Sequence, residues 1–142
     1  MKDAFILATL TAVLAVAGPA KADDDPREPV QFPEMMQRHM LANMRDHLAA
    51  INEILDNMSK GRLDNAAEIA ESRIGMSSLE SHGASHMSKF MPEGMRNAGS
   101  KMHQAASRFA LKAQEGDALA AYGALTDVTT ACVACHSAYR IR

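Results

Sequence analysis

The stretch MQRHMLANMRDHLAAINEILDNMSKG, from Met36 to Gly61, decides the fold class. Its apolar residues recur in steps of three and four, which is the spacing of one face of an α-helix. Pro33 suits the first turn of such a helix, and Gly61 suits its end. The pattern predicts a long helix with one buried stripe, formed by Met36, Met40, Met44, His47/Leu48, Ile51, Ile54/Leu55 and Met58.

The same spacing predicts three more helices along the chain. Asp64 is expected to cap the second helix, which ends near Gly83. Residues 82–94 are expected to form a long loop, because they contain two glycines and a proline. The third helix precedes Gly116, and Asp117 caps the fourth. The predicted stripes are Ala67, Ala70, Ile74 and Ser77/Ser78; then Met95, Ala98, Met102, Ala105/Ala106, Phe109 and Ala113; then Leu119, Tyr122, Leu125, Val128/Thr129, Cys132, Cys135/His136 and Tyr139.

No useful length of the chain alternates with a period of two, and the links at Gly61 and Gly116 are short. Short links favour antiparallel neighbours. The sequence therefore predicts an all-α protein, an antiparallel up-and-down four-helix bundle.

The chain opens as a leader for export. Lys2 gives a positive start, residues 4–17 are apolar, and Ala20-Lys21-Ala22 fits a cleavage site. The apolar run is shorter than the roughly 20 residues of a membrane span. We expect a signal peptide at residues 1–22, a periplasmic protein, a flexible lead at 23–31 and one domain at 32–142. No later segment is expected to be long and apolar enough to span a membrane.

Composition narrows the class of partner. Removing residues 1–22 from 142 leaves 120, and the loss of Lys2, Lys21 and Asp3 from 15 basic and 17 acidic residues leaves a net charge of −3. Nucleic-acid binding would favour a basic excess. The core is soft, with 11 methionines and no tryptophan. A bound cofactor would help to fill the core of so small a domain.

The chemistry centres on CVACHSAYR, Cys132 to Arg140, which holds both cysteines of the chain. Residues three and four apart share a helix face. Both thiols can therefore reach the two vinyl groups along one edge of a porphyrin while His136 points at the iron. Cys-x-x-Cys-His is the attachment signature of haem c. A zinc site needs four ligands, and a second cysteine pair is missing. A disulfide or dithiol redox pair suits an exported protein but leaves His136 unexplained.

The motif with Tyr139 and Arg140, near the end of an exported helical chain, resembles the cytochrome c-prime family, closest to its low-spin c-556-like members. Residues 43–68 (NMRDHLAAINEILDNMSKGRLDNAAE) look like that family's first helix and turn. FMPEG at 90–94 is similar to its Phe-Pro-x-Gly loop, with Met91 inserted. The resemblance spans roughly Met35 to Arg142. It implies a four-helix bundle with one covalently attached haem c per chain.

The resemblance also implies a distal iron ligand from the first helix. Counting back 17 positions from Gly61 reaches Met44, which the MRDH segment also favours; Met40 lies one turn earlier and stays open. A thioether opposite His136 makes the iron six-coordinate and low-spin and raises its potential. Methionines as plain core filler remain the alternative.

The remaining polar residues carry weaker expectations. His39 and His47 are expected at the surface or the haem edge, and His103 at the surface. Tyr139 is expected to pack near the haem. Arg140 resembles the family's basic residue, which would pair with a haem propionate; a solvated arginine near a helix C-terminus is the alternative.

The sequence thus predicts a periplasmic electron carrier rather than an enzyme, with haem-binding residues Cys132, Cys135, His136, Met44 and Arg140. His136 and Met44 would bind the iron. Its partners would be redox proteins, and the family's members often form homodimers. Two alternatives stay open: a five-coordinate protein that binds NO or CO, and a copper-binding protein. Copper would use the soft donors of the predicted loop, His82, His86, Met87, Met91 and Met95.

Overall fold

The computed structural model describes residues 25–141, and over this range the chain is mostly helical. The helices are α1 (Glu34–Ser59), α2 (Leu63–Arg73), α3 (Ala84–Met87), α4 (Glu93–Gln114) and α5 (Ala118–Ala138). Two strands, β1 (Glu28–Pro29) and β2 (Tyr139–Arg140), pair in parallel. The all-α class predicted from the sequence is confirmed. The expected signal peptide at 1–22 lies outside the described residues.

The turns beside the long helices follow the predicted chemistry in most places. Gly61 and Gly116 take φ values of +69° and +82°, in the left-handed region that glycine tolerates best. The Asp117 carboxylate accepts hydrogen bonds from the backbone N–H groups of Leu119 and Ala120, both at 3.0 Å, so its predicted N-cap is confirmed. The predicted cap at Asp64 is wrong. α2 begins at Leu63 and leaves Asp64 within its first turn.

α2 ends at Arg73, well before the expected end near Gly83. Gly75 stands just beyond this end, and a Cβ built there would clash with the Glu71 carboxylate. That carboxylate instead accepts hydrogen bonds from the backbone N–H and the hydroxyl of Ser77. The chain then turns through Met76–Ser78 as a 3₁₀ helix. The predicted loop at 82–94 is partly helical, since α3 and a 3₁₀ turn at Ser88–Phe90 occupy its middle.

The main core lies where α2 packs between α1 and α4, and α4 packs against α5. Its one large aromatic residue is Phe109, which is fully buried. Small alanines surround it, so the helices approach closely. Most of the predicted stripes are buried here, but Leu48, Leu55 and Leu119 are exposed. The core comprises Ala50, Ile54, Met58, Ala66, Ala67, Ala70, Ile74, Met102, Ala105, Ala106, Phe109, Ala110, Ala113, Ala121, Leu125 and Val128.

A second apolar group, here called the methionine cluster, lies between the first half of α1, the segment before α4 and the end of α5. Its buried members are Val30, Met40, Met87 and Met95. Phe32, Met36, Met44, Met91, Cys135, Tyr139 and Ile141 pack against them. Thioether side chains are flexible and fill irregular spaces. They pack the first half of α1 against the segment before α4 and the end of α5.

The described part of the lead expected at 23–31 forms a strap before α1. From Asp25 onward it runs beside the chain end, where the Val30 N–H donates to the Arg140 carbonyl at 2.7 Å. The Gln37 side-chain amide of α1 donates to the Ile141 carbonyl at 2.6 Å. These long-range bonds, which local sequence does not reveal, hold the strap and the C-terminal residues together.

α5 has the length and composition of a membrane-crossing helix, with 21 residues and a mean hydropathy of 1.4. The expectation that no later segment reaches this threshold was therefore wrong. Core helices of soluble proteins can pass the same test, so α5 alone is weak evidence for a span. Here α5 has α4 as its principal neighbour.

Candidate functional site

The two cysteines of the motif lie on the last turns of α5 and are not joined in a disulfide. Both are partly buried. Cys132 packs against the main core, whereas Cys135 packs into the methionine cluster. The two cysteines, three residues apart on α5, therefore contact different apolar groups, the main core and the methionine cluster.

The environment of these thiols argues against a reactive redox pair. Burial raises the pKa of Cys132 and of Cys135. Reactive cysteines need a lowered pKa, because the thiolate is the nucleophile. The structure instead surrounds the two thiols with apolar groups.

His136 follows directly on the last turn of α5 and is exposed. Its backbone carbonyl accepts a hydrogen bond from the Arg27 guanidinium at 3.4 Å, so the strap reaches the motif itself. The imidazole thus remains accessible beside the two thiols.

The candidate distal ligands share an apolar cluster with the motif. Met40 is buried, and Met44 and Met36 are partly buried, all in the methionine cluster that Cys135 contacts. The structure therefore brings the stripe of α1 and the motif of α5 to one place. Met40 and Met44 both qualify by position.

Two further residues predicted near the site lie in β2. Tyr139 packs into the methionine cluster, and its hydroxyl lies so close to Gly94 that a Cβ there would clash with it. The Arg140 guanidinium lies 3.8 Å from the Asp25 carboxylate. Hydrogen bonds from Arg27 hold the pKa of Asp25 at about 2, with a smaller contribution from Arg140. Arg140 is thus tied to the strap.

The five residues expected for a copper site fall in different surroundings. His82 is buried beside Ser78 and the rings of His47 and His103, and His86 is exposed. Met87, Met91 and Met95 all join the methionine cluster. Among residues 25–141, no group of three or more His, Cys, Asp or Glu side chains is arranged to hold a metal ion.

A histidine cluster is the feature that the sequence did not reveal. His47 of α1, His103 of α4 and His82, which lies between α2 and α4, are all buried. The surface position expected for His103 is therefore wrong, and so is the surface alternative for His47, which was expected at the surface or the haem edge. The ring centroids lie 4.8 Å (His47–His82), 6.0 Å (His47–His103) and 5.6 Å (His82–His103) apart. Only the place of His47 on the α1 stripe hinted at burial.

A comparison with protein-family models, curated proteins and solved structures found no match to this chain.

Proposed function

We propose that this chain is an exported c-type cytochrome that carries single electrons between redox proteins. α1, α2, α4 and α5 would form its four-helix bundle. Cys132 and Cys135 would attach the haem. His136 and Met44 would bind its iron, with Met40 as the alternative to Met44. Bound there, the haem would supply one-electron chemistry at its iron.

The observation that carries the proposal is the meeting of Cys135 with the methionines of α1 in a single apolar cluster. The donor set fits a covalently held haem: two thiols outside any disulfide, an imidazole on the next residue and thioethers of α1 in the apolar cluster that Cys135 joins. The methionines that fill this cluster can repack around a planar apolar group, because their side chains have several rotatable bonds.

The other residues near the motif would hold and shield the group. Tyr139 would close one side of the cluster, and Val30 and Phe32 of the lead would exclude water from it. Arg140 would stay paired with Asp25 or turn to a propionate. No acid–base pair is needed, since electron transfer breaks no substrate bond.

Acidic acetone extraction of the exported protein tests the proposal. We expect the haem to stay with the polypeptide, because thioether bonds are covalent, and to be lost in Cys132→Ala/Cys135→Ala. Extraction of the haem from protein with both cysteines intact would show that the assignment is wrong.

Absorption spectra of the oxidised and reduced protein then separate the electron carrier from the gas-binding alternative. A methionine ligand predicts low-spin iron in both states and slow binding of carbon monoxide. High-spin iron that binds carbon monoxide readily would favour the five-coordinate alternative.

A further inference from the structure

The histidine cluster joins three parts of the molecule that are distant in sequence. His47 comes from α1, His103 from α4, and His82 from the segment 75–91 that connects α2 to α4. The His47 Nε2 and His82 Nδ1 atoms lie 3.5 Å apart, and the Ser78 hydroxyl lies 3.2 Å from that same His82 nitrogen. The cluster is therefore a set of direct contacts.

Further hydrogen bonds tie the segment 75–91 to the helices around these rings. The His82 carbonyl accepts from the Asn43 amide at 3.1 Å and from His39 Nε2 at 3.0 Å. His103 Nδ1 donates to the carbonyl of Ile74, the residue just before the segment, at 2.5 Å. Away from the rings, the Met76 N–H donates to the Ser107 hydroxyl of α4 at 2.9 Å. The histidine cluster is therefore the place where the segment is held on both α1 and α4.

The surroundings of the rings favour neutral imidazoles. His47 is 7% exposed, and its Nδ1 atom is buried without a hydrogen-bond partner. Burial lowers the pKa of all three histidines, for His47 to about 4. The rings of His82 and His103 lower the pKa of His47 further, and His103 does the same to His82, while the backbone carbonyls of Ile74 and Gly75 partly offset the effect of burial on His103. A proton placed on one ring would therefore meet a dry site and two adjacent imidazoles.

The charged groups around the cluster do little to stabilise a protonated ring. Asp46 is the carboxylate that acts on His47 and His82, but it is already paired with Arg73 at 2.5 Å. Arg73 also binds Glu53 at 2.8 Å, and its positive charge opposes protonation of His47. His39 opposes protonation of His82.

We propose that the histidine cluster is an acid-operated latch, which holds the segment 75–91 against α1 and α4 while its imidazoles are neutral and releases it when they are protonated. In the released state the rings regain water and an ordinary histidine pKa of about 6.5. Proton uptake therefore favours release, increasingly as the pH falls below about 6.5.

Release would also open the methionine cluster. Met87 and Met91 belong to the segment 75–91, and both contact the group that contains Met40, Met44 and Cys135. The latch thus couples external acidity to the packing around the end of α5, whether or not a haem is attached.

Hydrogen–deuterium exchange of the exported protein, at pH 7.5 and pH 5.0 and corrected for intrinsic exchange, tests the latch. We expect opening of peptides within 75–91 to rise about tenfold or more at pH 5.0, while peptides of α5 before Cys132 change little. His47→Gln and His103→Gln remove titrating rings and should cut this rise severalfold. His86→Gln removes an exposed histidine of the same segment and should preserve the full rise.

Opening that is independent of pH, or an equal rise in all three variants, would overturn the latch. Should a buried-site variant fold poorly, NMR titration of the wild-type imidazoles still decides. His47 and His103 must titrate well below pH 6.5, and titration at or above that value would contradict the proposal.

Discussion

Met44 and Met40, on neighbouring turns of α1, are the two alternative candidates for the second iron ligand. We expect Met44→Ala to remove the weak far-red charge-transfer band of methionine-ligated ferric haem, to speed carbon monoxide binding and to lower the reduction potential. Met40→Ala is the matched control and should keep the band. Loss of the band in Met40→Ala alone would assign the ligand to Met40, one turn earlier.

Gly94 is a residue whose lack of a side chain matters to the candidate site. Because the Tyr139 hydroxyl would clash with a Cβ at this position, Gly94→Ala should displace Tyr139 and lower the free energy of unfolding by about 1–3 kcal/mol. Urea unfolding measures the change.

Two further variants serve as controls for this prediction. Gly99 lies in the same helix with open space at its Cβ position, so Gly99→Ala should stabilise the protein by about 0.5–1 kcal/mol. Tyr139→Phe removes the clashing oxygen and should recover most of the loss caused by Gly94→Ala. An unchanged loss in the double variant would place the cause elsewhere.

Among the helices, α2 and α5 offer a direct test of capping. Asp117→Ala deletes the two hydrogen bonds at the start of α5 and should cost about 1 kcal/mol of stability. Asp64→Ala changes the same residue type in the first turn of α2, where it only complements the helix dipole, and should cost a few tenths of a kcal/mol. Equal losses in thermal or urea unfolding would contradict this distinction.

The helices also show what local sequence can and cannot predict. Apolar spacing and the glycine and aspartate signals placed α1, α4 and α5 well, because helix formation and capping depend on neighbouring residues. The end of α2 was missed because it depends on the Glu71 carboxylate folding over Gly75. The buried positions of His47 and His103 depend on three segments meeting, which their own neighbours do not encode.

In the candidate site, too, some features depend on local sequence and others on long-range packing. The attachment role of Cys132, Cys135 and His136 could be predicted from their spacing alone, because such a motif is local. The methionines of α1 could be placed on a stripe, but which atoms they face depends on the packing of α5 and of the segment before α4. The strap depends on pairing between Glu28–Pro29 and Tyr139–Arg140, which are far apart in sequence.

For the whole molecule, the buried histidines predict a particular loss of stability in acid. Their folded-state pKa values lie below the ordinary value, so their contribution is fully present above about pH 6.5 and is lost as the pH falls toward 4. From pH 7 to pH 5, His47 alone should lower the free energy of unfolding by about 2 kcal/mol. Urea unfolding at the two pH values measures this.

His47→Gln should flatten that change, while His86→Gln should leave it intact. The carboxylates act in a different window. The pKa of Asp25 is lowered to about 2 and that of Asp46 is lowered by Arg73, so their contributions are lost only as the pH falls below about 4. A steep loss confined to pH below 4 would show that the histidines do not govern acid stability.

The strap has a consequence for the order in which the protein can be completed. Ribosomes make Arg27 early, whereas His136, whose carbonyl it binds, follows 109 positions later. A contact that closes so long a loop forms late, because most of the chain must exist and be ordered first. The helix pairs of adjacent segments can assemble during synthesis, but the strap must wait for the final residues. The cysteine motif is therefore made and exposed before the strap can close beside it.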